Sequence, residues 1–229
     1  MSSVRLRVAQ KACPAPQATN RSRDGAMTED WRERLLGAVS PLTDGARHLR
    51  VNHFRPHDEG QLRPARTAAV LVAVLDLEAP EILLTRRAAH LSQHAGQVSF
   101  PGGAAEDSDD TGVFTALREA EEEVGLAPEA VTPLGFLDRF DTVSDYRVLP
   151  VVGLVKAPVE WKIDRSEVDE IFTIPLSAAT DPDRYQRHVV RRDGEEYVVY
   201  SIEWQGHVVW GLTAAMLMNL MHRMQGNGE

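Results

Sequence analysis

Four glutamates occupy five consecutive positions near the middle of this 229-residue chain, beside an arginine and inside a segment with helical periodicity. The stretch runs from Arg118 to Leu126 and reads Arg-Glu-Ala-Glu-Glu-Glu-Val-Gly-Leu. Like charges at neighbouring helical positions each destabilise a helix by roughly 0.2–0.5 kcal/mol. A helix that keeps such a cluster is therefore expected to bind a cation.

The spacing predicts a helix from Val113 to Val124 with two different sides. Thr111 is positioned to cap its beginning, and Gly125 is a typical residue for its end. The predicted apolar side contains Val113, Phe114, Leu117, Ala120 and Val124. On the other side, three glutamates at i, i+3 and i+4 can converge on one point. These are Glu119, Glu122 and Glu123.

Convergent carboxylates suit a hard divalent cation such as Mg²⁺ or Mn²⁺, which prefers oxygen ligands and shares itself with substrate phosphates. Arg118 lies four residues before Glu122 and can hold that carboxylate in place. Upstream, Pro101 is followed by Gly102 and Gly103, and glycines allow the backbone to approach a ligand closely. The alternative for a glutamate cluster alone is a solvent-exposed acidic helix face.

Together these segments resemble the Nudix box, G-x5-E-x7-R-E-U-x-E-E-x-G-U, where U is a bulky apolar residue. Counting back from Arg118 puts the box glycine on Ala104 and the first acid on Asp110, with Gly103 one residue earlier. The resemblance implies an α/β fold, the Nudix α/β/α sandwich around a mixed sheet. It also implies hydrolysis of nucleoside diphosphates linked to another group, with Mg²⁺ or Mn²⁺ as the cofactor.

The resemblance implies roles for individual residues. Glu119 and Glu123 are expected to bind the metal directly, and Glu122 to act as a third ligand or as the base. Arg118 is expected to orient the glutamates, and the Gly103 carbonyl to complete the metal shell. Nudix enzymes often take their general base from a loop outside the box. Candidates here are Glu167, our first choice, and Glu170, in a segment that resembles the Nudix pattern E-V-x-E-V-x-W-x-P-L.

A second stretch, 83–103, resembles the coenzyme A pyrophosphatase branch, whose pattern is LLT-x-R-S-x3-R-x3-G-x-V-x-FPGG. Ala88 replaces the serine and Ser92 replaces the second arginine. This branch implies coenzyme A or its acyl derivatives as substrate, with 3′,5′-ADP and a 4′-phosphopantetheine as products. The 3′-phosphate needs cations, and the candidates are Arg86, Arg87 and Arg55.

Two other functions compete with this one. A Nudix pyrophosphatase for another nucleoside diphosphate derivative, such as NADH or ADP-ribose, would use the same box. A nucleotide sensor without turnover is less well supported, because sensors commonly lose box glutamates and all three metal-ligand candidates are present here.

Composition excludes several partners. A net charge of −9 argues against nucleic acid, and no apolar run is long enough to predict a membrane span. Cys13 is the only cysteine, so no intrachain disulfide can form, and a reducing cytoplasmic location is expected. The expected partner is a small coenzyme A-like nucleotide. The oligomeric state stays open, a homodimer being one option.

Residues 1–26 differ from the rest, with a net charge of +4 and two prolines. We predict that residues 1–26 form a disordered basic tail that is dispensable. Residues 27–229 are predicted to form one Nudix domain with an N-terminal helical extension. Helices are predicted at 28–38, with Trp31, Leu35 and Leu36 on one apolar face, and at 213–224. The segment 40–66 is predicted to be irregular. Strands are predicted at 68–75, 81–86, 134–140, 147–154, 197–204 and 208–210, the last two forming a hairpin.

Overall fold

The computed structural model describes residues 30–44, 46, 49–53, 66–142, 144–192 and 195–226. The basic segment 1–26 lies outside these residues. Its predicted disorder, and the single domain predicted for 27–229, therefore stay predictions.

Within the described ranges the chain forms four α-helices. They are α1 (Asp30–Ala38), α2 (Gly112–Val124), α3 (Leu176–Ala179) and α4 (Gly211–Met224). The helices predicted around the glutamates and near the C-terminus are confirmed within two residues at each end. The first two residues of the predicted N-terminal helix, Thr28 and Glu29, lie outside the described residues. None of the described helices is long and apolar enough to cross a membrane.

Across the same part of the chain there are twelve β-strands. They are β1 (Val51–His53), β2 (Arg66–Leu75), β3 (Glu81–Arg87), β4 (Val98–Ser99), β5 (Gly102–Ala104), β6 (Val131–Phe136), β7 (Arg139–Asp141), β8 (Tyr146–Val155), β9 (Val168–Pro175), β10 (Gln186–Arg192), β11 (Glu195–Trp204) and β12 (His207–Trp210).

Strands β1 to β9 form one mixed sheet among the described residues. β2 runs parallel to β8 along its whole length, from Arg66 opposite Tyr146 to Leu75 opposite Val155. β3 lies antiparallel to β2, β4 and β9. β2 is buried continuously from Leu71 onward, which explains its unbroken apolar sequence, because layers cover both faces of the sheet.

Strands β10, β11 and β12 form a separate antiparallel sheet. β11 and β12 make the predicted hairpin, with Ser201 opposite Trp210 and a turn at Gln205 and Gly206. This small sheet packs with α4 against the side of the mixed sheet that α2 leaves uncovered.

Two apolar clusters lie on opposite faces of the mixed sheet. One joins α1 and α4 to the sheet through residues such as Leu35, Leu84 and Leu217. The other joins α2 to the sheet through residues such as Leu83 and Ala120. Leu83 and Leu84 belong to different clusters because successive side chains of a strand point to opposite faces. The result is an α/β/α sandwich, as expected.

Three details of the sequence prediction are wrong. The segment 40–66, expected to be irregular, contains the short strand β1, which pairs in parallel with β7. The single strand expected at 134–140 is two strands, β6 and β7, because the chain leaves the ladder at Leu137 and Asp138. Leu36, expected on the buried side of α1, is 54% exposed, whereas Ala38 is buried in its place.

Candidate active site

Helix α2 carries the glutamates, and local hydrogen bonds fix both of its ends. The Thr111 hydroxyl accepts a hydrogen bond from the Phe114 N–H at 3.2 Å. Gly125 adopts a left-handed conformation (φ 71°) and donates its N–H to the Glu121 carbonyl at 2.9 Å. Both caps were predicted. Phe114, expected on the apolar side, is 51% exposed, and Ala116 faces the sheet instead.

The three glutamates predicted to bind metal differ in exposure. The side chains of Glu123 and Glu119 are 3% and 15% exposed, whereas Glu122 is 61% exposed. Glu119 and Glu123 therefore form an inner pair, and Glu122 lies at the surface. Within the described ranges, no group of three or more His, Cys, Asp or Glu side chains is arranged to hold a metal ion. Of the three carboxylates expected to converge, only those of Glu119 and Glu123 therefore form the inner pair.

Arg118 connects the helix to the loop before it. Its Nη1 donates to Glu119 Oε1 at 3.0 Å and to Glu122 Oε2 at 3.1 Å. Its Nε and Nη2 donate to the two carboxylate oxygens of Asp109 at 3.1 and 3.0 Å, and Nη2 also donates to the Ala104 carbonyl at 3.1 Å. The predicted orienting role of Arg118 has this geometric basis.

The acid that pairs with Arg118 is Asp109, whereas counting back from the arginine pointed to Asp110. Asp109 has a fully buried side chain, while Asp110 is exposed. Counting forward from Gly103 with five intervening residues does reach Asp109, so the extra residue of this box lies between Asp109 and Arg118. The glycine position of the box accordingly belongs to Gly103 and not to Ala104.

Glu123 is the most deeply buried carboxylate of the helix. Burial raises its pKa to about 8, Arg87 opposes the rise, and Glu119 and Glu167 add to it. Arg87 Nη1 lies 3.8 Å from Glu123 Oε1, and Glu123 Oε2 is buried without a hydrogen-bond partner. Burial also raises the pKa of Glu119, which Arg118 partly offsets. The arginines near Glu119 and Glu123 therefore do not fully compensate for the burial of these two carboxylates.

Gly103 lies directly against Glu119. A Cβ atom at Gly103 would come within 2.5 Å of the Glu119 carboxyl carbon and Oε2. The site therefore needs glycine at this position for close approach of backbone and carboxylate. The loop and the helix therefore meet at Gly103 and Glu119.

The two adjacent arginines of β3 point to opposite faces of the sheet. Arg87 faces α2 and Glu123, whereas Arg86 Nη2 pairs with Glu170 Oε2 at 3.0 Å on the other face. Glu170 Oε1 also lies 3.6 Å from His207 Nε2. Of the predicted cations, only Arg87 therefore lies beside the glutamate pair among the described residues. Arg55 lies outside them.

This arrangement also separates the two candidates for the general base. Glu167 lies close enough to raise the pKa of both Glu119 and Glu123. Glu170 is held by Arg86 on the face that does not carry α2. Glu167 is exposed and is the last residue of the turn before β9, so it is available to a ligand at the glutamate pair.

The donor set suits a divalent cation. Mg²⁺ is usually bound by one or two carboxylates, with waters and substrate phosphates completing its shell. Glu119 and Glu123 supply two carboxylates, and the unpartnered oxygen of Glu123 is a free ligand atom. The cation would supply the positive charge that this buried pair lacks.

Comparison with known families decides which group of proteins this site belongs to. A family model described as the NUDIX domain matches residues 65–206. The chain belongs to the Nudix family. The match covers β2 to β11 and includes the glutamate pair, Arg87 and Glu167.

Two proteins of similar sequence agree with this assignment. The chain is 46% identical over 173 residues to a Pectobacterium atrosepticum protein named Uncharacterized Nudix hydrolase NudL, covering 74% of this chain and 90% of the relative. It is 39% identical over 171 residues to a protein of that name from Escherichia coli K12, covering 75% and 89%. The crystal structure of the Nudix hydrolase RenU from M. smegmatis matches with a TM-score of 0.43 and 23% identity, covering 52% of this chain and 77% of that one.

The protein is therefore a Nudix hydrolase with the Nudix α/β/α sandwich. Nudix hydrolases generally use divalent metal ions and act on small nucleotide derivatives. Sequence reasoning missed Asp109 as the partner of Arg118, although the forward count from Gly103 would have found it. The sequence analysis also treated Arg86 and Arg87 as one group of cations, although strand alternation places neighbouring side chains on opposite faces of the sheet.

Proposed function

We propose that this Nudix hydrolase cleaves the pyrophosphate bond of coenzyme A or its acyl derivatives, giving 3′,5′-ADP and (acyl-)4′-phosphopantetheine. The observation that supports the substrate is the position of Arg87. It is the first arginine of the pattern that resembles the coenzyme A branch, and it lies 3.8 Å from Glu123. The coenzyme A-like motif and the glutamate helix thus contribute to one site.

In this proposal Glu119 and Glu123 would hold Mg²⁺ or Mn²⁺ together with the Gly103 carbonyl, and Glu122 would be a further ligand at the exposed side of the site. When bound, the cation neutralises the pyrophosphate and lowers the pKa of a bound water. Arg118 holds Glu119 and Glu122 in place, because one guanidinium bonds both carboxylates.

Glu167 is proposed as the general base. It accepts a proton from the attacking water as the water oxygen bonds to phosphorus and the bond from phosphorus to the bridging oxygen breaks. The products are two phosphate monoesters. In this proposal Arg87 binds a phosphate beside the glutamate pair, and Arg55 is a further cation for the 3′-phosphate. Arg86 is not included, because it pairs with Glu170 on the opposite face of the sheet.

The test is turnover of coenzyme A by the purified protein with Mg²⁺ or Mn²⁺, with products separated by chromatography. NADH and ADP-ribose are assayed alongside, and Glu123→Gln serves as the inactive control. Formation of 3′,5′-ADP that EDTA abolishes is the expected result. Cleavage of NADH or ADP-ribose without cleavage of coenzyme A would reject the substrate and keep the Nudix reaction. Absence of turnover with all three would favour the nucleotide sensor.

A further inference from the structure

The segment 156–167 joins β8 to β9 and packs against the end of α2. Val159 and Trp161 contact the apolar cluster under that helix. The Lys162 N–H donates to the Val124 carbonyl at 2.9 Å. A Cβ at Gly125 would lie 2.7 Å from Lys162 Cβ and 2.9 Å from its backbone nitrogen, so the contact requires glycine. The last turn of the glutamate helix is therefore the surface on which this segment docks.

Asp164 makes five hydrogen bonds, which lie within this segment or join it to α2 and to the first residue of β9. Its N–H donates to the Glu123 carbonyl at 3.0 Å, and its carbonyl accepts from the N–H groups of Glu167 at 3.1 Å and Val168 at 2.9 Å. Its Oδ1 accepts from the backbone N–H of Ser166 at 2.8 Å and from the Ser166 hydroxyl at 2.7 Å. Two main-chain hydrogen bonds through one residue thus connect Glu123 to Glu167.

The other side of Glu167 is also held. Its carbonyl accepts a hydrogen bond from the Ala88 N–H at 2.8 Å, immediately after Arg87 at the end of β3. Val168, the next residue, is fully buried. The backbone of Glu167 is therefore fixed between the helix that carries the metal-ligand candidates and the strand that carries Arg87, while its side chain stays exposed.

We infer that Asp164 is a positioning residue whose side chain holds the turn that sets Glu167 beside the glutamate pair. This rests on the proposed function, in which Glu167 is the general base. The aspartate side chain is needed because Oδ1 closes the turn over Ser166, a geometry that short polar side chains stabilise and alanine does not. Without it, the turn loses two hydrogen bonds and Glu167 loses its fixed position.

The test is a double-mutant cycle of Asp164→Ala and Glu167→Gln, with Asp164→Asn as the matched control. Asp164→Ala is expected to lower kcat about 10- to 100-fold, as loss of a supporting hydrogen-bond partner does. Asp164→Asn keeps an oxygen that accepts from Ser166 and should restore most of the activity. In the Glu167→Gln background, Asp164→Ala should have no further effect, because its action passes through Glu167.

Two measurements on the metal-free full chain separate positioning from a general loss of structure. The affinity for Mn²⁺, measured by calorimetry, should stay within about twofold in Asp164→Ala, since Glu119 and Glu123 are untouched. Amide exchange of residues 165–168 should rise in Asp164→Ala and stay at the wild-type level in Asp164→Asn.

Several outcomes would overturn the inference. They are multiplicative effects of the two substitutions on kcat, a parallel loss of Mn²⁺ affinity, unchanged amide exchange in Asp164→Ala, or full activity of Glu167→Gln. Each is distinct from failure of the proposed substrate. If coenzyme A is not cleaved, the cycle is run on the dinucleotide that is, and the exchange measurement needs no substrate.

Discussion

Arg118 holds Asp109 through both oxygens of that carboxylate, at 3.1 and 3.0 Å, and so joins the loop after β5 to the helix that carries the glutamates. The hydrogen bonds from Arg118 lower the pKa of Asp109 well below its usual value. Because the same guanidinium also bonds Glu119 and Glu122, the aspartate fixes the arginine that orients two predicted metal ligands.

Replacing Asp109 should therefore reduce activity, while the same change at its neighbour should not. Asp109→Ala removes two of the bonds that hold Arg118, so we expect kcat/KM to fall about 10- to 100-fold and the thermal midpoint to drop. Asp110→Ala is the matched control, because Asp110 is exposed and should leave both quantities near wild type. Equal effects of the two substitutions would contradict the placement of Asp109 at the first acidic position of the box.

The position of the first acidic residue of the box could not be decided by counting residues in the sequence. The helix and its two caps follow from periodicity and capping rules, which are local. The choice of Glu119 and Glu123 as ligands came from the family resemblance, and their burial is visible only in the folded structure. The choice between Asp109 and Asp110 depends on how the loop accommodates one extra residue. Counting from Gly103 and from Arg118 gave different answers, and only the folded loop shows which acid reaches the arginine.

The metal-ligand assignment predicts a specific pattern along α2. Glu119→Gln and Glu123→Gln should each lower kcat by at least about 100-fold, because each removes a charged ligand from the site. Stability should hold, since glutamine is neutral and takes the place of a buried carboxyl group whose charged form is disfavoured by burial. Glu121→Gln is the matched control on the same helix, at an exposed position away from the site. Wild-type activity in both inner variants would exclude them as ligands.

Binding of Mn²⁺ by the metal-free protein should depend on pH through Glu123. Its pKa of about 8 means that below this value a proton must leave before the carboxylate binds metal. Affinity should therefore rise about tenfold per pH unit up to about pH 8 and level off above it, if one proton is released. Calorimetry between about pH 6 and 9 measures this, and an affinity independent of pH would contradict it.

The raised pKa of Glu123 also predicts how the stability of the metal-free protein depends on pH. The dependence is opposite to that of a carboxylate whose pKa is lowered by folding. The folded-state pKa of about 8 exceeds the ordinary value of 4.5, so the metal-free folded protein holds this proton more tightly. The stabilisation is fully present below pH 4.5 and is lost as the pH rises through about 8. The thermal midpoint of Glu123→Gln should consequently fall less than that of wild type over this range.

Arg87→Gln provides the electrostatic control for both pH predictions. Arg87 lowers the pKa of Glu123, so its removal should raise that pKa further and move the Mn²⁺ binding curve to higher pH. Arg86→Gln should leave the curve in place, because Arg86 lies on the opposite face of the sheet and pairs with Glu170. A shift in both variants, or in neither, would contradict the placement of the two arginines.

The parts of the fold that the sequence predicted are those with strong local patterns. β2, β3 and β8 are long and apolar, and α4 has a clear helical period, so each was found with nearly correct ends. β1 has three residues and exists because β7 pairs with it, and β10 is polar and pairs only with β11 among the described strands. Such strands form because they pair with strands that are distant in the sequence, and a short stretch of sequence does not contain this information.

Gly103→Ala tests the contact between the loop and the helix without removing any functional group. The added Cβ would lie 2.5 Å from the Glu119 carboxylate, which must therefore move, and the metal site should lose affinity. Because the atom that moves is the end of a side chain, the fold should survive, and circular dichroism should be unchanged. Gly37→Ala is the control, since α1 leaves open space at Gly37 and alanine favours a helix by about 1 kcal/mol. We expect Mn²⁺ affinity and kcat to fall at least about tenfold in Gly103→Ala and to stay at wild type in Gly37→Ala.

Unchanged Mn²⁺ affinity in Gly103→Ala would mean that Glu119 can bind metal from a different position, and that the close approach of loop and helix is not needed for the site.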